Sequence, residues 1–200
     1  MATYSSELET VLKRYIDSWE GEGRDRLREL LKNESVSARY ELLMKVRVSY
    51  CKLTGLHRGA CANDLETIKC MLNHFLANQK YDVVKIQMID GWTALHYAAA
   101  YGYTSTINYL LSNLSQQQKY DLLKIQDTTG DTVLHRAAGN KKVELVQAII
   151  SSVSSPLLIQ LLNIKNKKEQ TVTDIRPELH YELPVLTRQG IVSLYSVNKT

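Results

Sequence analysis

A sequence segment that returns every 39 residues constrains the fold of this chain more than any other feature. The residues TALH at positions 93–96 recur as TVLH at 132–135, and the same step leads back to Leu56 and His57. A second segment keeps this register, since YDVVKIQ begins at Tyr81 and YDLLKIQ begins at Tyr120. Segments that hold one register indicate a tandem repeat, and a tandem repeat determines the architecture.

Each unit has the apolar spacing of two helices joined by a turn. In the central unit, Leu95, Ala98 and Ala99 are followed by a break at Gly102 and then by aliphatic residues up to Leu111. The small residues allow neighbouring helices to approach closely, and the aliphatic residues fill the space between layers. Because one helical hairpin cannot bury its own apolar face, the sequence predicts an all-α solenoid of stacked hairpins.

The unit resembles the ankyrin repeat, whose signature is Thr-Pro-Leu-His-x-Ala in about 33 residues. The resemblance extends over residues 40–176 and is strongest in Asp90–Tyr120 and Gly130–Ser155. Ala94 and Val133 replace the proline of the signature. The resemblance implies an ankyrin-type helix-turn-helix solenoid. The extra residues of each unit follow the outer helix, where we expect a longer outer helix or an added turn that carries the Leu-Leu-x-Ile segment.

Histidines recur with the repeat, and this recurrence favours a structural role. A repeating turn needs its histidine in every unit, whereas a catalytic histidine would be needed once. The resemblance implies that the threonine hydroxyl caps free N–H groups of the inner helix and that the imidazole bridges adjacent turns. We therefore predict that the following residues form the turns: Thr93, His96, Thr132, His135 and His57.

An alternative is a zinc site. Cys70 and His74 share a face of the predicted outer helix, and Cys61 and His57 lie in the preceding inner helix. No Cys-x2-Cys pair occurs, and the other repeats hold non-ligands at the cysteine positions. The phosphate-binding, dinucleotide-binding, Gly-x-Ser-x-Gly and His-Glu-x-x-His motifs are also absent. We therefore expect a protein without catalytic residues, metal or cofactor.

Charge and apolar patterning limit the other function classes. The net charge is +4, and the basic residues are interspersed with acids, which gives little basis for nucleic-acid binding. No apolar run approaches the length of about 20 residues that crosses a bilayer. The N-terminus has no apolar signal core. The odd count of 3 cysteines fits a reducing compartment, so we expect a cytoplasmic or nuclear protein.

The two ends of the repeat array need covering elements. We expect residues 1–39 to form an N-terminal helical cap, with a second helix from Arg24 to Lys32. The alternative is that helices within residues 5–32 contact a partner of their own, so that the array is a targeting or regulatory subunit. At the other end, Asp174 replaces the repeat histidine and Pro177 disfavours further helix. We therefore expect residues 177–200 to form an irregular C-terminal cap or tail.

A solenoid of this type offers a concave surface made of turn tips and inner helices, and we expect a protein partner there. Trp92 and Tyr101 are rigid aromatics with a polar group, the residue type that dominates interface energetics. The alternative is that Trp92 packs against its own hairpin. We predict a monomeric, non-enzymatic scaffold with the following partner-binding residues: Ile89, Asp90, Trp92, Tyr101, Thr128, Asp131 and Asn140.

Overall fold

The structure, a computed structural model, describes residues 4–18, 23–48, 50–140 and 143–177. These residues form helices and no strand, apart from one isolated bridge between Val48 and Leu53. The helices are α1 (Ser6–Asp17), α2 (Arg24–Asn33), α3 (Val36–Lys45), α4 (Gly55–Cys61), α5 (Leu65–Leu72), α6 (Ala77–Val84), α7 (Ala94–Tyr101), α8 (Thr104–Leu111), α9 (Gln116–Leu123), α10 (Val133–Gly139), α11 (Val143–Ser151), α12 (Ser155–Leu162) and α13 (Val172–Ile175). The predicted all-α repeat solenoid is confirmed. No helix in the described ranges is long and apolar enough to cross a membrane.

Each 39-residue unit contains three helices, because the extra residues form a helix of their own. The inner helices α4, α7 and α10 stack on one another, the outer helices α8 and α11 pack together, and α9 contacts both α6 and α12. The outer helices α5 and α8 end at Leu72 and Leu111, so the expectation of a longer outer helix is wrong. The added helix α9 follows a Ser115 cap and buries Leu122 and Leu123, which belong to the Leu-Leu-x-Ile segment.

The N-terminal helices repeat the same three-helix arrangement, although they lack the Thr-x-x-His motif. Helix α1 packs on α4, α2 packs on α5, and α3 packs on α6. Helix α1 begins after Ser5, whose hydroxyl accepts the Leu8 amide at 3.2 Å. The boundary expected between residues 39 and 40 lies inside α3, so we propose that the first layer extends through Lys45.

A buried carboxylate joins this first layer to the next one. Asp64 caps the N-terminus of α5, where its Oδ1 accepts the Thr67 amide at 3.1 Å. The Tyr15 hydroxyl donates to Asp64 at 3.1 Å, and Arg28 donates to it at 2.5 Å. Burial opposes ionisation of Asp64, but the hydrogen bonds from Thr67 and Arg28 outweigh it and lower its pKa. Asp64 therefore connects α1 and α2 to the start of α5 through hydrogen bonds.

The last described helix departs from the repeat as its sequence indicates. Helix α13 is short, and Asp174 takes the position of the repeat histidine. Its carboxylate accepts the Thr171 amide at 2.8 Å and the Thr171 hydroxyl at 2.7 Å, so the helix start is still capped. Of the predicted C-terminal tail, residues 178–200 lie outside the described residues.

Candidate protein-binding surface

The turn before each inner helix is a tight hairpin closed by a backbone bond. Met88 donates to the Trp92 carbonyl at 2.8 Å, and Asp127 donates to the Asp131 carbonyl at 2.9 Å. Gly91 and Gly130 occupy these turns with φ of 82° and 80°, a region that side chains disfavour. A Cβ on Gly91 would also lie 2.7 Å from the Cα of Asp127. Glycine therefore permits both the turn and its contact with the next turn.

Successive turn tips are joined into a continuous row. The Ile89 amide donates to the carbonyl of Cys51 at 3.1 Å, and the Thr128 amide donates to the carbonyl of Asp90 at 2.9 Å. Gln87 donates through its side chain to the Gly91 carbonyl at 2.9 Å within its own turn. These bonds hold neighbouring tips at a fixed spacing, so the row forms a rigid edge.

The repeat histidines join each turn to the next. The Nδ1 atom of His96 lies 2.9 Å from the Thr93 hydroxyl, and its Nε2 atom lies 3.3 Å from the Asp131 carbonyl. His57 makes the equivalent contact to the Trp92 carbonyl at 3.1 Å, and His135 to the Gln170 carbonyl at 3.0 Å. Because a carbonyl only accepts, Nε2 carries the proton in each ring and Nδ1 accepts from threonine.

Burial keeps these imidazoles neutral. Desolvation lowers the pKa of His57 and of His96 to about 4, and it also lowers the pKa of His135. Each ring is buried with both nitrogens in hydrogen bonds. A ring in this state has no free nitrogen for proton transfer or for a metal.

The four residues of the zinc alternative do not come together. Cys61 lies beside Tyr101 in a pocket of the concave surface, whereas Cys70 and His74 line a different pocket beside Tyr109. His57 uses both ring nitrogens in its turn. Within the described part of the chain, no group of three or more His, Cys, Asp or Glu residues could hold a metal ion.

A row of aromatic rings runs along the inner helix of the central unit. Trp92 packs edge-on against Tyr97 with ring centres 4.8 Å apart. Tyr101 lies in a stacked orientation 6.5 Å from Tyr97 and 5.7 Å from Tyr103. Trp92 is half-buried, so it both packs against its own repeat and keeps an exposed part. We call Trp92, Tyr97, Tyr101 and Tyr103 the aromatic row.

Arg136 from the next repeat extends this row. Its guanidinium lies 4.8 Å from the centre of the Trp92 ring, within cation–π distance. Its other side is held by Asp127, which accepts from Nε at 3.0 Å and also from Nη2. Asp127 is buried, and the Thr129 hydroxyl donates to it at 2.6 Å. The arginine is therefore fixed in place before any partner arrives.

A pocket of about 410 Å³ opens beside the aromatic row. Tyr97 and Tyr101 form one wall, and Ile16, Leu53 and Met88 supply apolar surface. Burial raises the pKa of Tyr97 to about 12, and the neighbouring Cys61 raises that of Tyr101. Both phenols are therefore uncharged hydrogen-bonding groups at neutral pH.

The other predicted partner-binding residues differ in what they offer. Ile89 is 65% exposed and Tyr101 is 50% exposed, and Thr128 is also exposed. Asp131 is engaged within the stack, since the Asn166 side chain donates to it at 2.8 Å. Asn140 likewise donates to the Ala100 carbonyl at 3.3 Å. The Asp90 carboxylate accepts the amide of Trp92 at 3.0 Å.

Sequence reasoning left three residues out of the predicted set, and one of them, Tyr97, was expected to face a neighbouring repeat. Tyr50 is 97% exposed and precedes Ile89 by one repeat period, so the register alone could have identified it. Tyr97 and Arg136 are also one period apart, at the position that follows the repeat histidine. The repeat register, which places both residues directly after a repeat histidine, is the signal that could have found them.

The apolar stripe of the N-terminal helices is used inside the stack. Leu8, Leu12 and Ile16 of α1 are buried, as are Leu27 and Leu31 of α2. A partner contact through residues 5–32 would therefore depend on the charged outer face of these helices.

Comparison with known proteins identifies the repeat. Residues 22–122 match the family described as Ankyrin repeats, in 3 copies. No curated protein matches the chain. Repeats of this family are generally protein–protein interaction modules and are typically non-enzymatic. Because the match covers half of the sequence and the stacked hairpins continue through α13, the chain belongs to the ankyrin repeat family.

Proposed function

We propose that this protein is a non-enzymatic binding module whose protein partner lies on the concave surface, against the aromatic row and the turn tips. The observation that carries the proposal is the fixed contact between Arg136 and Trp92 beside the 410 Å³ pocket. Aromatic residues and arginine dominate the binding energy of protein interfaces. Here they are held by bonds within the stack, so binding orders few side chains and costs little entropy.

The pocket suggests what the partner presents. Its apolar walls at Leu53 and Met88 fit an apolar side chain, and the phenols of Tyr97 and Tyr101 add polar groups to the lining. The exposed side chains of Tyr50 and Ile89 lie on adjacent turn tips and extend the contact. We infer a partner segment that inserts one apolar anchor and crosses the tips.

The setting we propose is a reducing compartment, the cytoplasm or the nucleus, with the protein acting as a monomer. Its support is that Cys51, Cys61 and Cys70 are all free thiols.

The test replaces exposed residues of the surface so that the stack stays intact. Tyr101→Ala combined with Ile89→Ser removes two exposed apolar side chains, and Leu76→Ala is the control, because Leu76 is 71% exposed between α5 and α6. Affinity capture with quantitative mass spectrometry should recover a protein with the wild type and with the control that the double variant loses. Thermal melting should stay within about 2 °C for both variants. Equal capture by all three proteins would refute the concave assignment.

A further inference from the structure

A second pocket, of about 550 Å³, lies on the side of the outer helices. It is lined by the segment that joins α2 to α3, by the C-terminal part of α5 and by Tyr109 of α8. No residue of the inner helices α4, α7 and α10 lines it. This pocket is therefore separate from the aromatic row and is not part of the proposed protein-binding surface.

Arg39 is a buried cation of this pocket without a carboxylate partner. The residue is 4% exposed, and it forms no ion pair with any residue that the structure describes. Its Nη1 and Nη2 atoms donate to the carbonyls of Cys70 and Asn73, at 2.7 Å and 2.8 Å. Its Nε atom is buried and has no acceptor. A buried charge is costly unless it is paired, so this guanidinium has unused capacity for an anion.

The surroundings of Arg39 are positive. The cations Lys32 and Lys69 also line the pocket, and the acid among its lining residues is Glu34. The carboxylate of Glu34 already accepts the Ser5 amide at 3.1 Å. The N-terminus of α3, a 10-residue helix without an acid in its first turn, opens at this place as well. The positive end of the helix adds to the potential of the side chains.

Tyr109 supplies a hydroxyl donor close to these cations. Burial raises its pKa, whereas Lys69 and Arg39 lower it, so all three side chains are electrostatic neighbours. The Lys69 side chain is 45% exposed, and its ammonium pairs with Glu66 at 2.7 Å. An arginine, a lysine and a phenol around one space are the donor set that phosphate groups use.

We propose that this pocket binds a phosphate-class dianion, either free phosphate or a phosphomonoester, with Arg39 and Lys69 as its charge partners. The volume leaves room for an organic group attached to the phosphate. The bound oxyanion provides the compensating charge that Arg39 lacks in the described residues, and Tyr109 donates to the same group.

The experiment is an NMR titration of the full chain, labelled with ¹⁵N, with sodium phosphate. Sodium chloride at the same ionic strength is the reference, and O-phosphoserine is the second ligand. Phosphate should cause saturable shifts of the Arg39 Nε–Hε signal and of the Cys70 and Asn73 amides, while chloride should not. Tighter binding of O-phosphoserine assigns the site to phosphomonoesters, and equal binding assigns it to free phosphate. Shifts that never saturate, or that chloride reproduces, overturn the proposal.

Two lysines give a matched pair for this titration. Lys69 and Lys85 are both 45% exposed, and each pairs with an acid three residues earlier, at 2.7 Å and 2.6 Å. Lys69→Gln should weaken phosphate binding about tenfold, the loss expected for one charge-assisted contact, and Lys85→Gln should not change it. Arg39→Gln should abolish binding, but the lysine pair decides the matter if that variant does not fold. Identical affinities for the two lysine variants would exclude the site.

Discussion

The guanidinium of Arg136 lies 4.8 Å from the ring centre of Trp92, although the two residues belong to successive repeats. Asp127 holds the arginine from the other side, so the exposed aromatic surface and a buried ion pair depend on one side chain. Arg136 therefore belongs both to the proposed binding surface and to the buried ion pair that stabilises the stack.

Arg136→Leu alone should destabilise the protein more than Arg136→Leu combined with Asp127→Asn. Arg136→Leu leaves the Asp127 carboxylate buried without its cation, and we expect the free energy of unfolding to fall by about 3 kcal/mol. Adding Asp127→Asn to that variant should recover part of the loss, because the uncompensated charge disappears. Urea denaturation of the single and double variants measures the coupling. Additive losses in the double variant would contradict the dependence of the carboxylate on Arg136.

Two buried threonines at equivalent repeat positions should respond in opposite directions to the same change. The Thr106 hydroxyl is buried without a hydrogen-bond partner in the described residues, whereas the Thr67 hydroxyl accepts from Arg28 at 2.8 Å. Thr106→Val should leave stability unchanged or raise it by about 1 kcal/mol, since an unsatisfied polar group is removed. Thr67→Val should lower it by about 1–2 kcal/mol. Chemical denaturation of both variants tests this contrast, and a loss in Thr106→Val would mean that its hydroxyl has a partner.

The stability of the fold should fall when the solution is mildly acidified. The folded-state pKa of His57 and of His96 is about 4, below the ordinary value of 6.5, so the unfolded chain binds more protons between these values. Their stabilising contribution is complete above pH 6.5 and is lost as the pH falls towards 4. From pH 7 to pH 5 we expect a loss of about 2 kcal/mol for each histidine.

Urea midpoints between pH 5 and 8 measure this dependence. In this window the stabilising contributions of Asp64 and Asp127 stay constant, because the pKa of each is lowered in the fold and their contributions are lost only at lower pH. A His96→Asn variant should show a shallower dependence than the wild type. An unchanged slope in that variant would place the pH sensitivity elsewhere.

The two functions of a repeat histidine can be separated at His135. His135→Asn keeps a neutral acceptor for Thr132 but loses the bond to the Gln170 carbonyl, which is 3.0 Å from Nε2 in the wild type. His135→Ala loses both. We expect the alanine variant to be less stable than the asparagine variant by about 1 kcal/mol, the value of a helix cap. Thermal melting of the pair measures the difference, and equal stabilities would assign the whole effect to the bridge between turns.

The stacked hairpins could be predicted from the sequence because their cause is local and repeated. The 39-residue register and the buried positions at Leu95, Ala98 and Ile107 were enough to predict inner and outer helices. The third helix was harder to predict because Gln116, Gln117 and Gln118 give it a polar start. Its identity as a helix follows from the Ser115 cap and from packing on α6, which is a contact between units.

The first layer and the proposed binding surface could not be predicted from the sequence, because they depend on contacts between units. Helix α1 lacks the Thr-x-x-His motif, so its equivalence to an inner helix appears only in its contact with α4. The Arg136–Trp92 contact likewise depends on how far successive units are offset, and the sequence of one unit does not define that offset. Trp92 and Tyr101 could be singled out by residue type, whereas the signal for Tyr97 and Arg136 is their shared position directly after a repeat histidine.

The imidazole bridges give the array a direction. Each of the three histidines belongs to one unit and donates to a carbonyl 35 residues further along. The hydrogen bond therefore always runs from a unit to the unit that follows it. At the equivalent position Asp174 accepts the amide and the hydroxyl of Thr171 through its carboxylate, and an aspartate lacks the ring N–H that a histidine donates to a carbonyl. Adding a further repeat after α13 would therefore require a hydrogen-bond donor at position 174, because the added unit would otherwise lack the histidine-to-carbonyl bond that joins the other units.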